Sequence, residues 1–221
     1  MARNNLQQRV QRRAKRAGLD VPSSLLERLC LYVDLLQRWN RRMNLTGLDD
    51  RDAGLDRLVI EPLVAARHLS TRNGTIVDIG SGSGSPAIPL KLAVPKSALV
   101  MVEAKTRKAA FLRELVRQLE LEGATVETGR YEELLGRPEL HEAHDVLTLR
   151  AVRIETRVLQ GLQAFIKPEG RLLLFRSTSG ADVPADLQPP LVWHATYPLV
   201  ESLRSRLVVL RKLGLGRRGV R

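Results

Sequence analysis

A short apolar run that breaks into a glycine-rich loop constrains the fold of this chain more than any other feature of its sequence. Residues 75–79 read Thr-Ile-Val-Asp-Ile and are followed by Gly80, Gly82 and Gly84. Glycine adopts positive φ angles without strain and lets a ligand approach the backbone closely. In open α/β folds, ligands bind at the carboxyl ends of the strands. The segment therefore predicts a buried strand that ends in a ligand-binding loop.

Strand-like and helix-like segments alternate over the hundred residues that begin with this loop. The pattern predicts strands at residues 75–79, 98–102, 125–128, 146–149 and 172–175, helices at 105–120 and 156–165, and a final strand at 206–210 that pairs with one near 191–194. Strands that alternate with helices indicate a mostly parallel sheet covered on both faces. The fold class predicted is α/β.

The N-terminal third has a different character. Residues 1–20 are basic and predict a flexible arm, and residues 21–72 predict a helical cap. In that cap, Ser23 or Ser24 can cap a first helix, and a second helix is expected from about Asp52 to His68. The alternating strands and helices are expected to form one domain that spans residues 73–213, followed by a basic tail at 214–221.

The charge of the chain favours an anionic partner. Its 221 residues include 36 Lys and Arg against 24 Asp and Glu, a formal net charge of +12. The basic residues concentrate at the two ends, which is typical of a protein that meets nucleic-acid phosphates. A solvated tail or an anionic membrane surface would explain the same charge, so the pattern alone leaves these alternatives open.

Other classes of protein are disfavoured by composition. Cys30 is the only cysteine, so neither an internal disulfide nor a cysteine-based metal site is expected. The four histidines lack a spacing typical of metal ligands, and we expect no metal. No apolar run reaches the length of a membrane span, and the N-terminus lacks the core of a secretory signal. We therefore expect a cytoplasmic protein that does not enter a membrane, and a monomer.

Two carboxylates around the glycine loop indicate which ligand it binds. Glu103 ends the next predicted strand, where a carboxylate can accept hydrogen bonds from both ribose hydroxyls of an adenosine. Asp78 precedes the first glycine, which suits a cationic ligand such as S-adenosylmethionine better than a pyrophosphate. Pro86 and Pro89 also weaken a dinucleotide interpretation. The alternatives are a surface charge at a strand end for Glu103 and a dehydrogenase for the whole loop.

Several motifs in order along residues 25–210 resemble one family. They are Trp39-Asn40 with Asn44-Leu45-Thr46, Asp78-Ile-Gly-Ser-Gly-Ser-Gly84 with Pro86 and Ile88-Pro89-Leu90, Lys108 with Phe111-Leu112, Arg130-Tyr-Glu-Glu133, and Asp145 leading to Arg150-Ala151. With these motifs the chain resembles the bacterial small-subunit (16S) rRNA guanine-N7 methyltransferases, also called glucose-inhibited division protein B.

The resemblance implies a class I methyltransferase with a Rossmann-like, seven-stranded, mostly parallel sheet and a helical N-terminal extension. It implies S-adenosylmethionine as the methyl donor and 16S rRNA of the small ribosomal subunit as the partner. The donor contacts that it carries over fall on Gly80, Ser85, Tyr131, Glu132 and Arg150. In related class I enzymes the segment after the third strand frames the adenine, which suits Tyr131 and Glu132.

Arg150 is also the best candidate for a contact with the substrate. Arg150 ends a predicted strand beside the donor, and we hypothesise that its guanidinium holds the guanine through O6 or an RNA phosphate. The alternative is an arginine paired with Glu155 or Asp145. Arg130 and Arg176 are further candidates for phosphate contacts at the same rim.

Some positions depart from the family's pattern. The family has a bulky apolar residue where Ser85 stands, glycine at Ala87, a histidine near Leu58 and Lys-Gly at the position of Arg176. Lysine and arginine are not interchangeable at a close contact, so the substrate contacts are the part of the resemblance most affected. The functions that remain open are a class I methyltransferase with another acceptor and a non-catalytic RNA-binding protein.

Overall fold

A seven-stranded sheet lies at the centre of the computed structural model, which describes residues 2–47, 51–69, 73–150, 155–179 and 181–214. The strands are β1 (Thr75–Ile79), β2 (Ala98–Glu103), β3 (Ala124–Thr128), β4 (His144–Arg150), β5 (Ile166–Ser177), β6 (Leu191–Pro198) and β7 (Ser205–Lys212). Their order is β3-β2-β1-β4-β5-β7-β6. Strands β1 to β5 are parallel, and β7 runs antiparallel to both β5 and β6. The α/β fold class and the predicted pairing of the last two strands are confirmed.

Helices precede the sheet and connect its parallel strands. They are α1 (Ala2–Arg16), α2 (Ser23–Met43), α3 (Asp52–Leu55), α4 (Glu61–Ala65), α5 (Ala87–Ala93), α6 (Thr106–Gln118), α7 (Tyr131–Leu134) and α8 (Thr156–Leu162). A π-helical turn, Asp56–Ile60, joins α3 to α4, and a 3₁₀ turn, Ala66–His68, follows α4. The helix predicted over residues 52–68 is therefore present, but with a widened turn in its middle.

The two faces of the sheet carry two separate apolar clusters. Side chains alternate along each strand, so Ile76 of β1 faces one side and Val77 the other. The first side is covered by the N-terminal helices together with α5 and α6, and the second by α8. Because helices cover both faces of the sheet, the domain has three layers. The carboxyl ends of the parallel strands lie at one end of these layers, which we call the open edge of the sheet.

The prediction of a flexible arm over residues 1–20 is wrong. The segment forms α1, and its Leu6, Val10 and Ala14 are buried in the same cluster as the sheet. These residues are four apart, so they form one apolar stripe on a helix that is otherwise polar and basic. Arg13 pairs with the buried carboxylate of Asp56 in the π-helical turn. The basic residues of this segment therefore partly hold a folded helix in place.

The ends of α2 differ from the sequence prediction in one respect. Its N-cap is Pro22 and no side chain caps the helix there, so neither serine has that role. At the other end, Asn44 adopts a left-handed conformation with φ 46°. The side chain of Asn40 accepts a hydrogen bond from the Thr46 amide at 2.9 Å. The Asn-Leu-Thr element thus forms the turn that ends α2.

Some sequence predictions concern residues that the structure does not describe. Of the basic tail expected at 214–221, only Gly214 is described, and Ala151 of the Arg150-Ala151 motif also lies outside the described residues. None of the helices in the described part of the chain has the length and apolar character needed to cross a membrane.

Candidate active site

The glycine loop is hydrogen-bonded to the neighbouring strand β2 at the carboxyl ends of the parallel strands. The amides of Gly80 and Ser81 both donate to the carbonyl of Val102 in β2, at 2.9 and 3.0 Å. Gly80 and Gly82 have φ values of 72° and 51°, which glycine adopts without strain. The loop is therefore held in one conformation by β2, as its position after β1 predicts.

Glu103 lies at the carboxyl end of β2 and is hydrogen-bonded to the backbone of the glycine loop. Its Oε2 accepts a hydrogen bond from the Gly82 amide at 2.9 Å, and its Oε1 accepts one from the Lys105 amide at 2.8 Å. The side chain is largely buried. A carboxylate offers about four acceptor positions, so these two bonds leave others for a ligand. The interpretation of Glu103 as an ordinary exposed charge at a strand end does not fit this geometry.

Asp78 is buried beneath the loop. Its Oδ1 accepts a hydrogen bond from the hydroxyl of Thr148 in the adjacent strand β4 at 2.5 Å. Its Oδ2 is buried and has no hydrogen-bond partner among the described residues. Burial raises the pKa of Asp78 to about 6. An acceptor that is buried and unpaired suits a ligand that brings a donor or a positive charge.

The last part of the loop faces the protein interior. A Cβ atom at Gly84 would lie 2.9 Å from Ile88 Cγ1 and 3.1 Å from Leu115 Cδ1, so this glycine permits close packing. The Ser85 hydroxyl donates to the carbonyl of Leu58 in the π-helical turn at 2.9 Å. These two residues therefore join the loop to its surroundings, and neither lines the cavity described next.

A cavity of about 170 Å³ opens where β1 to β4 end. Gly80, Arg130, Tyr131 and Glu132 line it, so the structure brings together four of the residues singled out in the sequence. The remaining walls are mostly apolar and come from Ile79, Val102, Ala104, Gly129, Leu149, Val158 and Leu162. A narrow apolar cavity with an aromatic ring at its edge suits a flat base such as adenine.

Arg150 ends β4 and is held by the N-terminal helices. Its Nη2 lies 2.8 Å from the carboxylate of Glu61, which is fully buried, and its Nη1 donates to the carbonyl of Arg57 at 2.5 Å. The guanidinium also lies 4.6 Å from the ring centroid of Phe175. Burial lowers the pKa of Arg150, and the Glu61 carboxylate opposes that shift. The partner of Arg150 is thus Glu61, whereas the sequence suggested Glu155 or Asp145 as alternatives.

The two other arginines differ in exposure. Arg130 is exposed at the rim of the cavity, next to Tyr131. Arg176 is half-buried and donates to the carbonyl of Asp182 at 3.2 Å. The structure brings Arg130, but not Arg176, to the cavity at the ends of β1 to β4.

Three residues at this edge were not identified from the sequence as part of a site. Thr148 holds Asp78, Glu61 holds Arg150, and Tyr32 of α2 donates from its hydroxyl to the carbonyl of Ser83 in the loop at 3.0 Å. Tyr32 is buried on the apolar side of α2 with Leu29 and Leu36, and nothing in the spacing of these residues indicates its polar contact. Among the described residues, no group of three or more His, Cys, Asp or Glu side chains could hold a metal ion.

Comparison with known sequences gives a consistent result. The profile of the family described as rRNA small subunit methyltransferase G matches residues 25–188. A protein named ribosomal RNA small subunit methyltransferase G from Syntrophotalea carbinolica is 29% identical over 95% of this chain and 100% of its own length. A protein of the same name from Xylella fastidiosa is 35% identical, over 83% of this chain and 85% of its own.

Comparison of structures supports the fold. A protein described as an O-methyltransferase from Klebsiella pneumoniae superimposes with a TM-score of 0.60, at 15% sequence identity, over 83% of this chain and 90% of its own. The seven-stranded sheet of this chain, in which β7 lies antiparallel between β5 and β6, is the class I methyltransferase arrangement that the resemblance implies. The family profile covers well over half of the chain, and the Xylella relative is more than 30% identical. This chain belongs to the rRNA small subunit methyltransferase G family.

Proposed function

We propose that the protein transfers a methyl group from S-adenosylmethionine to N7 of a guanine in small-subunit (16S) ribosomal RNA. The observation that carries the proposal is the apolar cavity at the ends of β1 to β4, where Gly80, Tyr131 and Glu132 meet beside the loop-bound Glu103. An open α/β sheet binds its ligand at this edge.

The residues at this edge fit the methyl donor. The apolar cavity suits its adenine ring, and Glu103 has acceptor capacity left for ribose hydroxyls. The unpaired Oδ2 of Asp78 suits the donor's positive charge, carried by its ammonium and sulfonium groups. When bound, S-adenosylmethionine supplies an activated methyl group. The assignment of Asp78, Gly80, Gly82, Glu103, Tyr131 and Glu132 to the donor is part of this proposal.

Gly84, Ser85 and Arg150 support the site differently. The packing of Gly84 and the hydrogen bond of Ser85 to Leu58 fix the far end of the loop against the N-terminal helices. Arg150 reaches the same helices through Glu61. We infer that these residues position the donor loop, and that Arg150 in addition faces the acceptor as the sequence hypothesis holds.

The chemistry requires alignment more than proton transfer. Guanine N7 carries a lone pair and no proton, so the attack on the methyl group needs no general base. Holding two reactants in line can lower a barrier by about 7–11 kcal/mol in favourable cases. The task of this chain is then to bind both reactants and fix their orientation, and the loop held by β2 and the cavity at the ends of β1 to β4 suit that task.

Charge and exposure support RNA as the acceptor. The net charge is +12, and Arg130 is exposed at the rim of the cavity, where it can contact a phosphate. Arg176 is engaged with a backbone carbonyl and is half-buried, so its position supports a phosphate contact less strongly.

The test is transfer of labelled methyl from S-adenosylmethionine to small ribosomal subunits that lack guanine-N7 methylation. Protein-free RNA extracted from the same subunits is assayed in parallel, and fully methylated subunits are the control. We expect label at a guanine N7 in the unmethylated substrate only, and strongly reduced transfer by a Glu103→Ala variant. Donor binding without transfer to either substrate would contradict the proposed acceptor and leave other RNAs, proteins or small molecules to be tested.

A further inference from the structure

A second cavity lies between α2 and α6, away from the donor loop. It measures about 550 Å³, and the six lining residues that matter here are Arg38, Trp39, Arg41 and Arg42 from the last turns of α2, with Glu114 and Gln118 from α6. We call it the arginine pocket. None of its lining residues lines the cavity at the ends of β1 to β4. Its volume lies in the range of small-ligand sites, about 300–1,000 Å³.

The pocket is strongly positive. Arg41 and Arg42 are exposed and form no ion pair with any residue in the described part of the chain, and Arg38 donates only to the carbonyl of Asp34, at 3.4 Å. The acidic lining residue, Glu114, is already paired with Arg117 through two contacts of 2.8 and 3.0 Å. Three guanidinium groups are therefore left to meet an external anion.

The pocket also contains a rigid aromatic side chain. Trp39 is half-buried, and its ring lies against Phe111 of α6, with a centroid distance of 5.5 Å and an angle of 52°. Trp39 therefore packs against α6 and also lines the pocket. An aromatic ring fixed beside arginines is typical of sites that stack an unpaired base and bind its phosphate.

The helix that carries the pocket also touches the donor loop. Tyr32 of α2 donates to the Ser83 carbonyl, and Arg41 follows nine residues later on the same helix. With a rise of 1.5 Å per residue, the pocket lies about 14 Å further along the helix axis. One folded RNA can span this distance and reach both places.

We propose that the arginine pocket is a second RNA-binding site, in which an unpaired base stacks on Trp39 while Arg41 and Arg42 bind the adjoining phosphates. The proposal rests on the proposed function for the identity of the anion. It assigns the pocket to anchoring the substrate outside the reacting site, so it predicts effects on RNA binding that do not require methyl transfer.

The test uses the fluorescence of Trp39. The chain has two tryptophans, so a Trp193→Phe variant reports on Trp39 alone. A short, unmodified RNA hairpin with a single-stranded loop is titrated into this variant at several salt concentrations. We expect quenching of Trp39 emission, and a plot of log affinity against log salt that becomes shallower by about 0.7 for Arg41→Gln or Arg42→Gln and by about 1.4 for both together. Lys96→Gln, which removes an exposed charge at the amino end of β2, is the matched control and should leave the slope nearly unchanged.

Two outcomes would overturn the proposal. The first is a filter-binding measurement in which the double variant keeps the RNA affinity of the unsubstituted protein and the same dependence of that affinity on salt. The other is displacement of the RNA by poly-glutamate as effectively as by poly-uridine, which would make the pocket a general site for acidic chains. Weakened RNA binding by the double variant, together with no methyl transfer by the unsubstituted enzyme, would sustain the pocket and contradict the proposed function.

Discussion

The pair formed by Arg150 and Glu61 is the residue contact with the greatest consequences for the site. Both side chains are buried, and their charged atoms lie 2.8 Å apart. Removing one partner of a buried ion pair leaves a charge with neither water nor a counter-ion, which costs about 3–5 kcal/mol. The pair joins the end of β4 to α4, so it couples the N-terminal helices to the edge that binds the donor.

We expect Glu61→Gln to lower the free energy of unfolding by about 3–5 kcal/mol, because it leaves the Arg150 guanidinium buried without its counter-ion. Urea denaturation measures this loss. A double variant, Glu61→Gln with Arg150→Met, should lose less than the sum of the two single variants, since the charges disappear together. Glu114→Gln, which breaks an exposed pair with Arg117, is the control and should have little effect.

The same variants separate the structural role of Arg150, as the partner of Glu61, from its proposed contact with the acceptor. If it contacts the acceptor, Arg150→Ala should lose methyl transfer beyond the loss seen in Glu61→Gln at a temperature where both are folded. Full transfer activity in Arg150→Ala would contradict the contact, whatever its effect on stability.

The sequence could place Arg150 at the end of a strand, but it could not identify the carboxylate with which Arg150 pairs. Arg150 is found from its place at the end of a strand and from the family's motif. Glu61 lies 89 positions earlier in the chain, and no local pattern connects the two. The hydroxyl contacts of Tyr32 and Thr148 were missed for the same reason, because side-chain partners across elements depend on how those elements pack.

At the scale of elements, the glycine loop combines two different demands on glycine. Gly80 and Gly82 allow backbone turns beside the ligand-binding edge. Gly84 combines a φ of 86° with a lack of space, because Ile88 of α5 and Leu115 of α6 lie against it. The sequence pattern correctly places all three glycines in a loop after β1. Only the structure shows that Gly84 is also required because a side chain would not fit between α5 and α6.

We expect Gly84→Ala to destabilise the protein more than Gly18→Ala does. Both glycines have positive φ, so both substitutions cost about 1–2 kcal/mol in backbone conformation. A Cβ at Gly18 meets no atom within 4 Å, whereas one at Gly84 would overlap Ile88 and Leu115, which adds about 1–3 kcal/mol. Urea denaturation of the two variants measures the difference, and equal losses would show that the loop moves freely away from α5 and α6.

The first helix shows where the sequence prediction failed. Residues 2–16 have many charges, and their basic character suggested a solvated arm. Three apolar residues, Leu6, Val10 and Ala14, are enough to bury one stripe because the π-helical turn offers Asp56 to Arg13 on the same side. A short apolar stripe is a weak signal in a sequence, and its energetic value depends on a partner surface that only the fold supplies.

At the scale of the whole molecule, the N-terminal helices and the sheet share one core. The apolar cluster on the first face of the sheet extends from Leu6 of α1 and Leu36 of α2 to Ile76 of β1 and Val209 of β7. The sequence divides the chain at residue 73, where its pattern changes from helical to alternating. Since the described residues of the N-terminal part form no separate core, that boundary separates topological units, and we expect the two parts to unfold together.

Hydrogen exchange in a Val10→Ala variant tests this cooperativity. Val10 has no exposed surface, and truncating it leaves a cavity in the shared cluster that should cost about 1–3 kcal/mol. If the core unfolds as one unit, the slowly exchanging amides of β4 should lose the same free energy of protection as those of α2, although β4 does not belong to the N-terminal helices. Gln11→Ala, an exposed neighbour in α1, should leave both unchanged. Faster exchange confined to α1 and α2 would instead mean that the helices open while the sheet and its donor site remain folded, and the N-terminal part would then be a separate cooperative unit.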